Sequence, residues 1–408
     1  MNAGFSFNPM DPQLLADPYP IFRWMREEDP IHRSDLGFWV MTRHEDCRHV
    51  LIDKTFGQGD FVKNIQLFYD DDFDVLAHPA YIWLSRVFVM QDPPTHTRLR
   101  GLVAGALSLK RIRAMEPRVR ELARTMLARL SDQPGTNFIE SFAYRFPTLV
   151  MCDMLGLEEH EFSDELLTQL NQAIADTFPV FETRALGQEE LALANRQMEF
   201  LTAFFDDLFE RRRAHPRDDL TTALVHAREG DASLSSEELS TSVIGLFGAG
   251  FETTAHMIGN GMFLLGTHPD ERAKLTADQG LAAAATEEIV RYESSLQATY
   301  RTALADTVVS GQSIAAGERI LTIVAAANRD RNVFAHPEAF VIDPREEKPL
   351  TFGGGIHYCV GAELARLEGR VFLEELFAAF PDFEVDTETA RLRQAFLFRG
   401  FEHLAVSL

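Results

Sequence analysis

The sequence predicts a mainly α-helical protein with a small β portion. Three patterns predict it. Residues 95–295 carry apolar side chains at helical spacing in run after run. The run from Leu239 to Thr267 contains a single Asp, Glu, Lys or Arg, at Glu252. Short β-rich pieces with turn residues are confined to roughly the first 100 residues and to the stretch after Tyr300. No linker-like stretch divides the chain, so one domain is expected over residues 1–408.

Taken in order, "GFWVMTR" (Gly37–Arg43) reads as a strand between turns. "RIRAMEPRVRELARTMLARL" reads as one helix ending before Pro134 and Gly135, and "EELALANRQMEFLTAFFDDLFERRRAHP" as another that stops at Pro216. The pair Ser235 and Glu238 has capping-box spacing ahead of the long apolar run, and Pro269 marks its far end. Such a run is long enough to cross a membrane. Glu252, Thr253, Thr254, His256 and Asn260 at mid-span, with no basic flank, argue instead for a helix through a protein interior. From Tyr300 to Val324, short β pieces turn at Gly311 and Gly317. Last, Leu364, Leu367, Val371, Phe372, Leu376 and Phe380 fall on one helical face.

Composition narrows the function. A net charge of −23 argues against nucleic acid and against anionic membranes. No signal peptide or anchor is read in the N-terminal stretch, and a cytoplasmic location is expected. The three cysteines, Cys47, Cys152 and Cys359, are far apart, and no C-x-x-C occurs. That removes the signatures of a zinc ribbon, a redox pair and a c-type haem attachment.

Cys359 stands between Gly353–Gly354–Gly355 and the last helix. The helix end is expected to lower its thiol pKa, and the glycines to let the backbone turn tightly and approach something closely. A lone thiolate without neighbouring ligands cannot complete a zinc site. It can be a nucleophile, or the one axial ligand of a metal that brings its other ligands with it, as haem does. A small buried hydrophobe is the bland alternative. Glu252, in turn, is expensive inside a helix unless paired or used. Gly248 and Gly250 beside it are expected to leave room for a ligand.

The pattern Phe352-x-x-Gly355-x-His357-x-Cys359-x-Gly361-x-x-Leu364-Ala365-Arg366 resembles the haem-ligand loop of the cytochrome P450 family, the haem-thiolate monooxygenases. Ala249-Gly250-Phe251-Glu252-Thr253-Thr254 resembles that family's oxygen-activating motif. The resemblance implies the P450 fold, with haem b between the central helix and the cysteine loop. It implies Cys359 as iron ligand, with Ala249, Phe352, Gly353 and Gly361 against the haem. It gives the propionates to His96, Arg100, Arg301 and His357. Thr253 would act on the oxygen being activated, and Glu252 would feed protons inward. Glu288 and Arg291 match the family's Glu-x-x-Arg pair. Its usual third arginine is expected at Pro344, and Arg345 stands one place late, so either the loop shifts or that partner is missing. Ser295 stands where the family commonly has proline.

The resemblance further implies electrons from NAD(P)H through a separate ferredoxin and ferredoxin reductase, since no nicotinamide or flavin fingerprint is present. Lys110, Arg111 and Arg113 are candidates for the docking patch. The expected activity is hydroxylation or epoxidation of an apolar molecule in specialised metabolism. The alternatives are a fatty-acid hydroxylase, a peroxygenase, a non-oxygenating haem-thiolate catalyst, or a haem sensor. By family position the pocket is drawn from Phe61–Met90, Ile174–Gly187, Ser294–Thr299 and Gln394–Gly400. Phe178, Phe181, Phe396, Phe398, Ala249 and Phe251 are its expected apolar lining. Arg399 is either exposed or an inward anchor for a carboxylate.

Overall fold

The long apolar run folds as one helix, Ser236–Thr267, in a computed structural model that describes residues 5–157, 163–228 and 232–408. The first four residues of the N-terminal stretch lie outside the described residues. Ser235 caps this central helix. Its side chain accepts from the Glu238 N–H, and Glu238 accepts from the Ser235 N–H at 2.9 Å. Apolar residues surround the helix on most sides, so it runs through the core rather than over it.

Around it pack Arg145–Leu155, Gln188–Ala214, Ala282–Tyr292 and Ala362–Ala379. The segment expected as one helix from Arg111 is two, Leu109–Ala114 and Glu116–Ser131. Pro117 explains the break. It lacks an N–H to continue the first ladder and suits the first turn of the second.

The β portion is a five-stranded sheet in the order Ile31–Arg33, Trp39–Met41, Arg319–Thr322, Thr299–Ala303, Phe56–Gly57. A three-stranded sheet joins Thr136–Asn137, Phe401–Ser407 and Glu384–Leu392, and Thr307–Val309 pairs with Gln312–Ile314. Gly311 and Gly317 both have φ near +87°, as their turns require. The fold is therefore mainly α with a small β portion. Among the described residues no helix is long and apolar enough to cross a membrane.

Candidate active site

Between the central helix and the cysteine loop lies a cavity of about 340 Å³. Cys359 bounds it on one side, and Ala249, Gly250 and Thr253 on the other. Gly353 and Gly355 have φ of +73° and +60°, a region closed to most L residues, and a Cβ on Gly355 would meet the Leu51 carbonyl at 2.8 Å. The Cys359 N–H closes the loop onto the Phe352 carbonyl at 2.8 Å. The following helix starts at Ala362. The surface that Cys359 exposes faces this cavity, whereas Cys47 and Cys152 are buried in the core.

Burial pushes the Cys359 thiol above its ordinary value. The Gly361 and Ala362 amides and the guanidiniums of Arg100 and Arg366 pull the other way without overcoming it. The expected lowering by the helix end is thus real in direction, but desolvation outweighs it. A cation at the sulfur is needed to make thiolate the stable form.

The loop rests on a buried ionic frame. Glu288 and Arg291 pair at 2.7 Å, both almost wholly inaccessible, and Arg345 joins Glu288 at 3.2 Å. The one-residue offset is therefore absorbed by the loop, and Arg345 supplies the third partner. Arg291 also donates to the carbonyls of Asn328, Pro337 and Ala339.

On the opposite wall the Thr253 hydroxyl donates to the Ala249 carbonyl at 2.9 Å and faces the cavity. Glu252 does not. It lies off the cavity, fully buried among Arg393, His256 and Tyr144. Burial alone would raise its carboxyl. The His256 bond and the Arg393 guanidinium outweigh that and hold it down at about 2. Gly248 and Gly250 make room for cavity-lining side chains: a Cβ would meet Phe178 at 2.7 Å and Met151 at 2.6 Å, respectively, and Gly250 itself lines the cavity.

All four segments expected to line the cavity contribute. Val87, Phe88, Phe178, Phe181, Leu296, Leu397 and Phe398 are among the lining residues. Phe251 and Phe396 are corrected to core, packed on Phe247 and Phe7 at 5.4 and 5.7 Å. Ser295 lines the cavity, and its carbonyl accepts from the Arg399 N–H at 2.8 Å. Arg399 is neither exposed nor an anchor. It binds Glu293 at 2.6 Å and the carbonyls of Leu15 and Ala16. The sequence reading missed Met151, Met154, Leu246 and Val290 in the lining. Met151 and Met154 lie three residues apart on one helix, a spacing that most core helices share. It missed Glu368 as well, a carboxyl at 0% exposure with no hydrogen-bond partner on either oxygen among the described residues.

Residues 31–397 match the cytochrome P450 family. The chain belongs to that family. This P450 is 36% identical over 409 residues to 6-deoxyerythronolide B hydroxylase of Saccharopolyspora erythraea, covering 96% of each chain. It is 33% identical to vitamin D(3) 25-hydroxylase of Pseudonocardia autotrophica, over 96% of this chain and 94% of that one. The structure of the bacillaene polyketide synthase cytochrome P450 PksS from Bacillus subtilis superposes with a TM-score of 0.86 at 30% identity, covering 98% of this chain and 99% of that one. The P450 is a monooxygenase of the haem-thiolate class, and its helix-rich fold is the one expected.

The residues at the cavity fit that cofactor. The two nitrogens of His96 and the two of His357 are buried without a hydrogen-bond partner among the described residues. Their rings lie 4.3 Å apart. Burial, with Arg301, His96 and Arg100 near, holds His357 down at about 3. Arg301 is buried, among the described residues bonds only the Tyr300 carbonyl, and is pushed down to about 10 by burial. Arg100 donates to the Tyr358 carbonyl at 2.5 Å. Buried donors short of anions suit two carboxylates, which the haem propionates provide. Of the four, His96 sits behind His357 rather than on the cavity wall.

Proposed function

We propose that this P450 hydroxylates or epoxidises a medium or large, mostly neutral apolar molecule of specialised metabolism in the cytoplasm. The relatives include one named for polyketide biosynthesis, PksS of Bacillus subtilis, which agrees with that class. The observation that carries the reading is the cavity between Cys359 and Thr253. Its lining is aromatic and aliphatic, with charge gathered on the His357, Arg100 and Arg301 side. Burial there is non-directional, roughly 25 cal/mol per Å² of apolar surface, so shape decides more than charge. The inward anchor that a fatty acid would need is absent from Arg399, which is spent on Glu293.

Cys359 would hold haem b through its sulfur. Phe352, Gly353, Gly361 and Ala249 would flank it, and Arg100, Arg301, His357 and His96 would hold its propionates, directly or through one another. When bound, the haem supplies oxygen activation, the thiolate favouring O–O cleavage. Thr253 holds a hydroxyl proton at Oγ1 on the cavity wall, and that hydroxyl orients what lies beside it. Oxygen chemistry that releases water consumes two protons, and a dry apolar cavity needs a residue chain to carry them. Glu252 is the adjoining acid, and its carboxylate must leave Arg393 to serve. Phe178, Phe181 and Phe398 exclude water. Electrons would come from NAD(P)H through a ferredoxin reductase and a ferredoxin.

The test is spectral. The reduced carbon-monoxide complex should show the thiolate-type Soret band. Cys359→Ser should lose both band and turnover, while Cys47→Ser and Cys152→Ser keep both. A band that survives in Cys359→Ser removes the assignment. Ligand screening by displacement of iron-bound water should then favour neutral apolar molecules over matched carboxylic acids, and the reverse preference would point to an anionic substrate.

A further inference from the structure

A second concavity, of about 620 Å³, opens between the Pro79–Arg86 helix, the Gln188–Ala214 helix and the first turns of the central helix. Nothing in the proposed chemistry uses it. On the central helix its floor is Thr241 and Ile244, and the lining of the central cavity begins at Gly245 and Leu246. Thr241 and Gly245 stand four positions apart on the helix, about 6 Å at 1.5 Å per residue. One side chain belongs to both linings, that of Trp83.

Trp83 is buried between the two spaces, packed into the apolar core, and its polar hold is slight. Its indole N–H donates to the Thr241 carbonyl at 3.3 Å, past the usual range for such a bond. Its ring stands edge-on to Phe181 with centroids 5.9 Å apart. Beneath it the helix has no side chain, because residue 245 is glycine; a Cβ there would meet Val87 at 2.7 Å and the indole at 3.9 Å. Turning the indole breaks one weak hydrogen bond and one ring contact and shifts its apolar packing, and it moves the one side chain that stands on both linings.

We propose that this crevice is a route by which ligands reach the central cavity, and that Trp83 closes it and limits the size of what passes. The proposal rests on the reading of the central cavity as the substrate site. The rim adds a preference of charge. Glu199, Asp206 and Glu237 face Arg86, which is already bound to Glu237. A negative rim favours neutral or cationic apolar molecules over carboxylates.

The test follows azole binding to the ferric holoenzyme by stopped-flow absorbance, with imidazole, 4-phenylimidazole and a carboxylated phenylimidazole as probes. Removing a gate lowers the barrier seen from both sides. A residue that merely lines the site loses contact in the bound state alone, which raises dissociation and weakens Kd. Trp83→Ala should thus raise the association and dissociation rate constants of 4-phenylimidazole together, tenfold or more, with Kd moved less than threefold and imidazole affected less. Ala203→Trp, on the exposed outer wall, should slow both constants at least fivefold with an unchanged carbon-monoxide spectrum. Glu199→Gln should speed the carboxylated probe more than the neutral one. Unchanged rates in Ala203→Trp, or a Trp83→Ala variant that alters only dissociation, would overturn the route. The readout uses neither reductant nor oxygen. An enzyme that fails to oxygenate yet shows these rates keeps the route, and an active enzyme without them loses it.

Discussion

At the scale of single residues, the site turns on where two neighbours point. Thr253 and Glu252 are adjacent in sequence and face different surroundings: one lines the cavity, the other is bound to Arg393 and His256. The motif was legible because its residue types are unusual in an apolar helix. The partner of Glu252 was not, because Arg393 is 141 residues away and only the fold brings it near. Two consequences follow from this geometry. Thr253→Ala should still consume NAD(P)H with the redox partners but divert electrons to hydrogen peroxide, measured as product formed per NAD(P)H. Glu252→Gln should slow turnover and also destabilise the fold by about 3 kcal/mol in denaturant unfolding, since it leaves the Arg393 charge uncompensated. Its pH signature has a fixed sign. A carboxyl held at about 2 instead of 4.5 contributes stability that is present above pH 4.5 and is lost as pH falls toward 2. Wild-type stability should therefore drop more steeply than that of Glu252→Gln across this window, and parallel curves would show that the carboxylate is not held ionised.

At the scale of elements, what the sequence exposed and what it concealed divide along a physical line. Local patterns were legible: the capping box at Ser235, the turns at Gly311 and Gly317, and the apolar stripe of the Ala362–Ala379 helix. Pairings across the chain were not. The C-terminal hairpin of Glu384–Leu392 with Phe401–Ser407 went unread because most of its first strand is exposed and shows no alternation. The third arginine was ambiguous by one residue, and the Arg345–Glu288 bond settles it. Glu368 is the element-scale anomaly. It stands one turn beyond the cavity-lining Leu364, on the same helix, fully buried, with burial raising its carboxyl well above the ordinary value. An acid raised in the folded state stabilises fully below its unfolded pKa of about 4.3 and loses that contribution as pH rises above it. Glu368→Gln keeps the shape and removes the ionisation. Midpoints of denaturant unfolding should match wild type near pH 4 and exceed it increasingly from pH 5 to 8. Curves that stay parallel over this range would mean that the carboxyl is ionised in the fold.

At the scale of the whole molecule, charge and electron supply must be reconciled. The chain carries 39 Lys and Arg against 62 Asp and Glu, a poor match overall for the proposed donor if that ferredoxin is acidic. Screening makes the overall figure less important than the local one, because the Debye length is about 8 Å at physiological salt. The Leu109–Ala114 helix packs against the Ala362–Ala379 helix that follows Cys359, so it presents side chains on the face nearest the cysteine loop. Within it Arg111 is bound to Asp218 at 3.2 Å, which removes it from the patch expected from sequence. Lys110 and Arg113 are exposed and make no ion pair among the described residues. The cysteine loop exposes Ile356 and Tyr358, and this helix exposes Leu109, so exposed apolar area accompanies the two cations. That combination fits a transient electron-transfer contact, in which charge steers the encounter and a small apolar area seats it. Reversing Lys110 and Arg113 to Glu should raise the ferredoxin concentration for half-maximal rate severalfold and flatten its dependence on ionic strength. The rate at saturating ferredoxin and the carbon-monoxide spectrum should stay as in wild type, because neither side chain touches the cavity. Steady-state turnover against ferredoxin concentration at two salt concentrations measures all of this, and if the salt dependence is unaltered, the two residues form only a solvated turn and the electron donor docks elsewhere.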